Sequence, residues 1–142
     1  MFRNKFVRLM LIAALFTAGF MPAAHAQKGP EKVVLQVSDD NPRTWNQALN
    51  VIENLQQAYG KQNVQIELVA FGLGLGILKM ESVAGNRVQH AVESGARIVA
   101  CEVTMRRQKL SKDDMLPNIA YTPAGVVEII SKERQGWAVI RP

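Results

Sequence analysis

The chain has 142 residues, 17 Lys and Arg against 12 Asp and Glu, a formal net charge of +5 and one cysteine. That length suits one packed core and not two, and a lone thiol excludes a disulfide-stapled scaffold and argues against a dithiol oxidoreductase. Arg3, Lys5 and Arg8 account for three of the basic residues and sit in an N-terminal stretch without acids, so the rest of the chain carries only +2. This is a weak electrostatic footprint for a nucleic-acid binder, although Arg106, Arg107, Lys109 and Lys112 form one local cluster; no nucleic-acid role is expected.

Those three basic residues precede an apolar run from Leu9 to Met21, which Pro22 breaks just before Ala24-His25-Ala26. The run is shorter than the roughly 18 to 20 residues needed to cross a bilayer, and small residues at Ala24 and Ala26 suit signal peptidase. Residues 1–26 therefore read as a cleavable secretory signal, leaving residues 27–142 as one domain of periplasmic or secreted location with no membrane span after cleavage.

Lys32 to Val37 is a β-branched run that stops at Ser38-Asp39-Asp40-Asn41-Pro42, a buried strand followed by a turn. Asn41 as N-cap with Pro42 at the first helical position opens a helix, along which Trp45, Ala48, Leu49, Ile52, Leu55 and Tyr59 recur at helical spacing until Gly60. Val64 to Ala70 is a second strand, and a glycine-rich loop, Phe71-Gly72-Leu73-Gly74-Leu75-Gly76, follows it. Ile77 to Met80 suggests a short turn, and Ala84, Val88, Ala91 and Val92 mark a helix that stops at Gly95. A third strand, Ala96 to Ala100, ends at Cys101.

Beyond Cys101 the pattern is weaker. Val103 to Leu110 fits a helix, Ser111 to Asp114 a capped turn, and Ile119 to Tyr121 a short strand. Thr122 as N-cap and Pro123 at the first helical position predict a last helix with Val126, Val127 and Ile130 facing inward. Gly136 closes it, and Trp137 to Ile140 is the final strand. Alternating strands and helices at these spacings predict an α/β three-layer sandwich on a mostly parallel sheet of about five strands. In such a sheet the ligand crevice lies beyond the carboxyl ends of the strands, where Asn41, Gly72, Gly74 and Cys101 all fall.

Cys101 leaves a buried strand at the start of a helix, where unpaired amides favour a thiolate, and Arg106 and Arg107 would add to that effect if either folds back. The competing reading is a small apolar residue plugging the junction. Gly72, Gly74 and Gly76 follow a strand as phosphate loops do, but the spacing fits neither a dinucleotide fingerprint nor a P-loop, so tight turning against a neighbouring segment is the alternative and no cofactor is expected. His25 falls in the leader, which leaves His90 without a partner at ligand spacing and predicts no metal. The pairs Asp39-Asp40 and Asp113-Asp114 read as capping residues. No histidine is placed by sequence to serve Cys101 as a base and no nucleophilic serine motif is present, so a hydrolase is not expected.

Four segments carry a resemblance: Lys32 to Val37, Val69-Ala70-Phe71-Gly72, Val99-Ala100-Cys101 with Met105-Arg106-Arg107-Gln108, and Pro123-Ala124-Gly125-Val126-Val127-Glu128. Together they resemble the DsrE/DsrF-like family over about residues 31–142. The resemblance implies a flavodoxin-like sandwich that assembles into trimers or hexamers. In the sulfur-relay members it implies a cysteine at the position of Cys101 that carries sulfur as a persulfide and yields it to a thiol-bearing partner protein. Those members work in a reducing cytoplasm, whereas this chain reads as exported. Two functional readings follow, a sulfur carrier using Cys101 and a non-catalytic oligomeric binding module in which Cys101 is structural, with redox sensing by the lone thiol as a third. Self-association is also suggested by Phe71, Leu73, Leu75 and Ile77, apolar residues in a loop that a monomer would leave partly exposed.

Overall fold

The structure is a computed structural model that describes residues 29–142. The segment read as a secretory signal lies outside the described residues. Five strands, β1 (Glu31–Val37), β2 (Val64–Ala70), β3 (Arg97–Cys101), β4 (Ala120–Thr122) and β5 (Ala138–Ile140), form one sheet in the order β4-β3-β2-β1-β5. Every pairing is parallel. The helices are α1 (Pro42–Tyr59), α2 (Gly85–Glu93), α3 (Glu102–Arg107) and α4 (Gly125–Arg134).

The strand order dictates the layers. Each step from β1 to β4 moves one strand in the same direction, so right-handed crossovers put α1 and α2 on one face. The return from β4 to β5, beside β1, runs the opposite way and puts α4 on the other. The first face holds the larger core, in which Leu35, Leu68 and Ile98 pack with Leu49, Ile52 and Val88. Each such side chain contributes roughly 1.5 to 3 kcal/mol by leaving water. On the second face Val34, Val69, Val99 and Ile129 form a thinner layer under α4. The molecule is thus an α/β sandwich on a five-stranded, wholly parallel sheet, consistent with a flavodoxin-like fold.

Three expectations need correction. The glycine-rich segment is a 3-10 helix, Gly72–Leu78, in which Leu75 and Ile77 are fully buried and Leu73 alone is largely exposed. It turns inward because residues 78–80 pair with residues 114–116, through hydrogen bonds from Leu116 N–H to the Leu78 carbonyl (2.8 Å) and from Met80 N–H to the Asp114 carbonyl (3.0 Å). The last helix begins at Gly125 and not at Pro123. Thr122 instead ends β4 opposite Cys101, and the Pro123 carbonyl accepts the Val103 N–H at 3.2 Å. This later start rotates the stripe: Ile129 is buried, while Val126 (52%), Val127 (64%) and Ile130 (41%) are exposed.

Candidate functional site

The buried run Ile98-Val99-Ala100 fixes β3 in the sheet and delivers Cys101 to its carboxyl edge, where it is the N-cap of α3. The residue is buried, with 4% of its surface exposed. Its Sγ nevertheless has polar company. The N–H of Gly125 donates to it at 3.2 Å. Because Gly125 is the first residue of α4, this amide has no acceptor within its own helix, so the sulfur takes a donor that the helix leaves free.

The Thr104 hydroxyl and the amides of Thr104 and Val103 face the same sulfur and also favour its anion, although the thiol forms no complete cap bond with α3. Burial pushes the Cys101 thiol up, the Thr104 hydroxyl and then the Gly125, Thr104 and Val103 amides pull it down, and the balance lies below the ordinary thiol value. Hydrogen bonding to the charged form outweighs desolvation here. The arrangement is a buried strand end whose hydrogen-bond donors favour the thiolate.

Gly125 permits the approach. A Cβ at that position would meet Cys101 Cβ, Phe71 Cβ and Val69 Cγ1, each at 3.2 Å. Thr104 is itself positioned by the glycine-rich turn, since its Oγ1 accepts the Gly72 N–H at 3.0 Å. Gly72 has φ +57°, a left-handed conformation suited to glycine, and its carbonyl accepts Gln108 Nε2 at 3.0 Å. Gly72 therefore braces the thiol through Thr104.

The other residues expected at the site have different roles. Gly74 lets the turn press on β1, because a Cβ there would run into the Val37 carbonyl. Asn41 caps α1, its Oδ1 accepting the Arg43 N–H at 2.9 Å, and is exposed. Arg106 and Arg107 are exposed in the last turn of α3 and are not among the groups that act on the thiol. Asp113-Asp114 caps as expected, Asp114 Oδ2 accepting the Ser111 N–H at 2.7 Å and the Ser111 hydroxyl at 2.8 Å. Among the described residues no cluster of His, Cys, Asp and Glu is arranged to hold a metal, and no helix is long and apolar enough to cross a membrane.

Sequence reading missed Thr104 and Gly125, and it missed a charged group under α4. Glu67, in the middle of β2, has no exposed surface. Its Oε2 meets Arg97 Nη1 at 2.7 Å and Lys132 Nζ at 2.9 Å, and Glu128 Oε1 lies 3.6 Å from each cation. Lys132 Nζ also sits over the Trp137 ring, 4.4 Å from its centroid. Glu67 Oε1 has no hydrogen-bond partner. An acid inside the apolar run Ile66 to Ala70 of a parallel strand was the available signal, since burying a charge is tolerated only when it is paired.

No family model matches the chain, and no curated protein does. Solved structures do resemble it. A protein of unknown function, MTH1491 from Methanobacterium thermoautotrophicum, superposes with a TM-score of 0.75 and 28% identity, over 79% of this chain and 99% of that one. A conserved protein of unknown function, BT1422 from Bacteroides thetaiotaomicron, gives 0.65 and 14% identity, over 79% of this chain and 95% of that one. The ychN protein from E. coli gives 0.66 and 10% identity, over 79% of this chain and 99% of that one. MTH1491 and YchN belong to the DsrE/DsrF-like fold family, and this chain shares their fold.

Proposed function

We propose that the protein is an exported DsrE/DsrF-like sulfur carrier that holds sulfane sulfur as a persulfide on Cys101. One observation carries the reading: the Gly125 N–H, the free first amide of α4, donates to Cys101 Sγ at 3.2 Å. Only the thiolate attacks, so a site that lowers the thiol serves nucleophilic sulfur chemistry. In the first step Cys101 thiolate attacks the outer sulfur of a persulfide R–S–SH. The new bond joins Sγ to that sulfur, the S–S bond of the donor breaks, and R–S⁻ leaves with the electron pair. In the second step the thiolate of a partner protein attacks the outer sulfur of Cys101–S–SH and returns Cys101 to its thiolate. Electrons balance in both steps without an oxidant, and no cofactor is called for.

A second reading, a non-catalytic oligomeric binding module with a structural Cys101, draws on the 4% exposure of that residue. Intact mass separates the two. Protein purified from an exporting host is treated with inorganic polysulfide and weighed beside Cys101→Ser. The carrier reading expects a mass lacking residues 1–26 and a gain of one or more sulfur atoms in the wild type alone. A folded wild type that gains no sulfur and resists iodoacetamide leaves the module, and an untrimmed N-terminus removes the export.

A further inference from the structure

We infer that Glu67, buried in β2 and remote from the reacting sulfur in sequence, is a positioning residue for Cys101: its ion pairs to Lys132 and Arg97 hold α4 in the register that presents the Gly125 N–H to Sγ. The inference rests on the carrier reading for its purpose but not for its test.

The geometry has three parts. Lys132 and Glu128 belong to α4, Arg97 to β3 and Glu67 to β2, so the four charges tie the helix to the two strands it crosses. The tie is asymmetric, because both cations converge on a single oxygen, Glu67 Oε2, at 2.7 and 2.9 Å, while Oε1 is buried and unpartnered. A buried carboxylate with an unmet acceptor is costly, and an apolar residue in its place would cover the sheet as well. Something other than burial therefore explains an acid here. At the other end of α4 the tolerance is small, with the position of a Gly125 Cβ only 3.2 Å from atoms of Val69, Phe71 and Cys101. A sliding or tilting helix would either clash there or withdraw its amide from the sulfur. The charged groups on the elements around Cys101 are Arg97 on β3, Glu102, Arg106 and Arg107 on α3, and Glu128, Lys132, Glu133 and Arg134 on α4, and it is the balance of hydrogen bonds against burial, not these charges, that accounts for the lowered thiol. Of the donors that lower the thiol, the Gly125 amide is the one that moves with α4.

The test is the pH profile of iodoacetamide alkylation in wild type, Glu67→Gln, Lys132→Met and a control, Arg87→Ala, whose guanidinium bridges α1 and α2 on the opposite face. The two variants change charge in opposite senses. Acting through charge alone, loss of the Glu67 anion would lower the thiol midpoint and loss of the Lys132 cation would raise it. Positioning expects both to raise it by about one unit, a roughly tenfold loss of thiolate below the midpoint, with no movement in Arg87→Ala. A folded Glu67→Gln with an unchanged or lowered midpoint overturns the inference, as does an equal shift in the control. If Glu67→Gln does not fold, Glu67→Asp decides, because it keeps the charge and loses the reach to Lys132 and Arg97: positioning expects a raised midpoint and charge alone an unchanged one, and failure of both to fold overturns the inference by making the ion pairs purely structural. A wild type that takes up no sulfur while both variants shift the midpoint keeps the positioning role and removes the carrier.

Discussion

Burial alone would make Cys101 a weaker acid than a free cysteine, because an anion loses more than a neutral thiol when water is removed. Thr104 stands at the reversal. Its hydroxyl faces the sulfur while its Oγ1 accepts the Gly72 N–H, so one side chain joins the glycine-rich turn to the thiol. Thr104→Val keeps the shape and removes both functions. The expected result is an alkylation midpoint moved upward and a loss of roughly 1 kcal/mol in urea unfolding, the net worth of the partly buried hydrogen bond from the Gly72 N–H. An unshifted midpoint would mean that the Gly125, Thr104 and Val103 amides hold the thiol down without the hydroxyl. None of this was legible beforehand: a threonine three residues after a cysteine carries no signal until the helix turns both toward one point, whereas Cys101 itself announced its place by ending a buried strand.

At the scale of elements, α4 is where the sequence and the structure part most instructively. Thr122-Pro123 has the chemistry of a helix start, and the local signal lost to a tertiary one: β4 needs Thr122 as its last rung opposite Cys101. The strands β1 and β2 and the helix α1, marked by β-branched runs, an Asn41-Pro42 start and a Gly60 stop, were read correctly because local and global preferences agree there. Val126, Val127 and Ile130 face outward on α4, and Val139 on the edge strand β5 is half-exposed. We take this apolar surface as the contact for the trimer or hexamer that the family resemblance implies. Sedimentation should show an oligomer for the wild type and a monomer for Val127→Lys, and a monomeric wild type would end the proposal.

For the molecule as a whole, the thiol couples acidity to stability. The folded state holds Cys101 below its ordinary value, so it binds the proton less tightly than the unfolded chain does. A group depressed on folding adds stability that is complete above its unfolded value and disappears as pH falls through its folded value. Thermal unfolding of the wild type, compared with Cys101→Ser at each pH, should gain on the variant as pH rises through that window and hold a constant lead above the ordinary thiol range. A difference independent of pH would place the benefit of cysteine in packing alone.

The return of the chain from β4 across the sheet to β5 has a kinetic meaning. The strands β1, β2 and β3 are joined by successive neighbours, but the α4 that supplies the Gly125 amide docks only when the chain doubles back over them. The pairing of β5 with β1, which sets Ile140 opposite Leu35, joins the two ends of the described chain, and parallel pairing at such separation is slow to form. Without α4 in place Cys101 lacks both its Gly125 donor and its cover, so a partly folded molecule would present an accessible thiol to oxidants, and slow closure is a liability for the residue it completes.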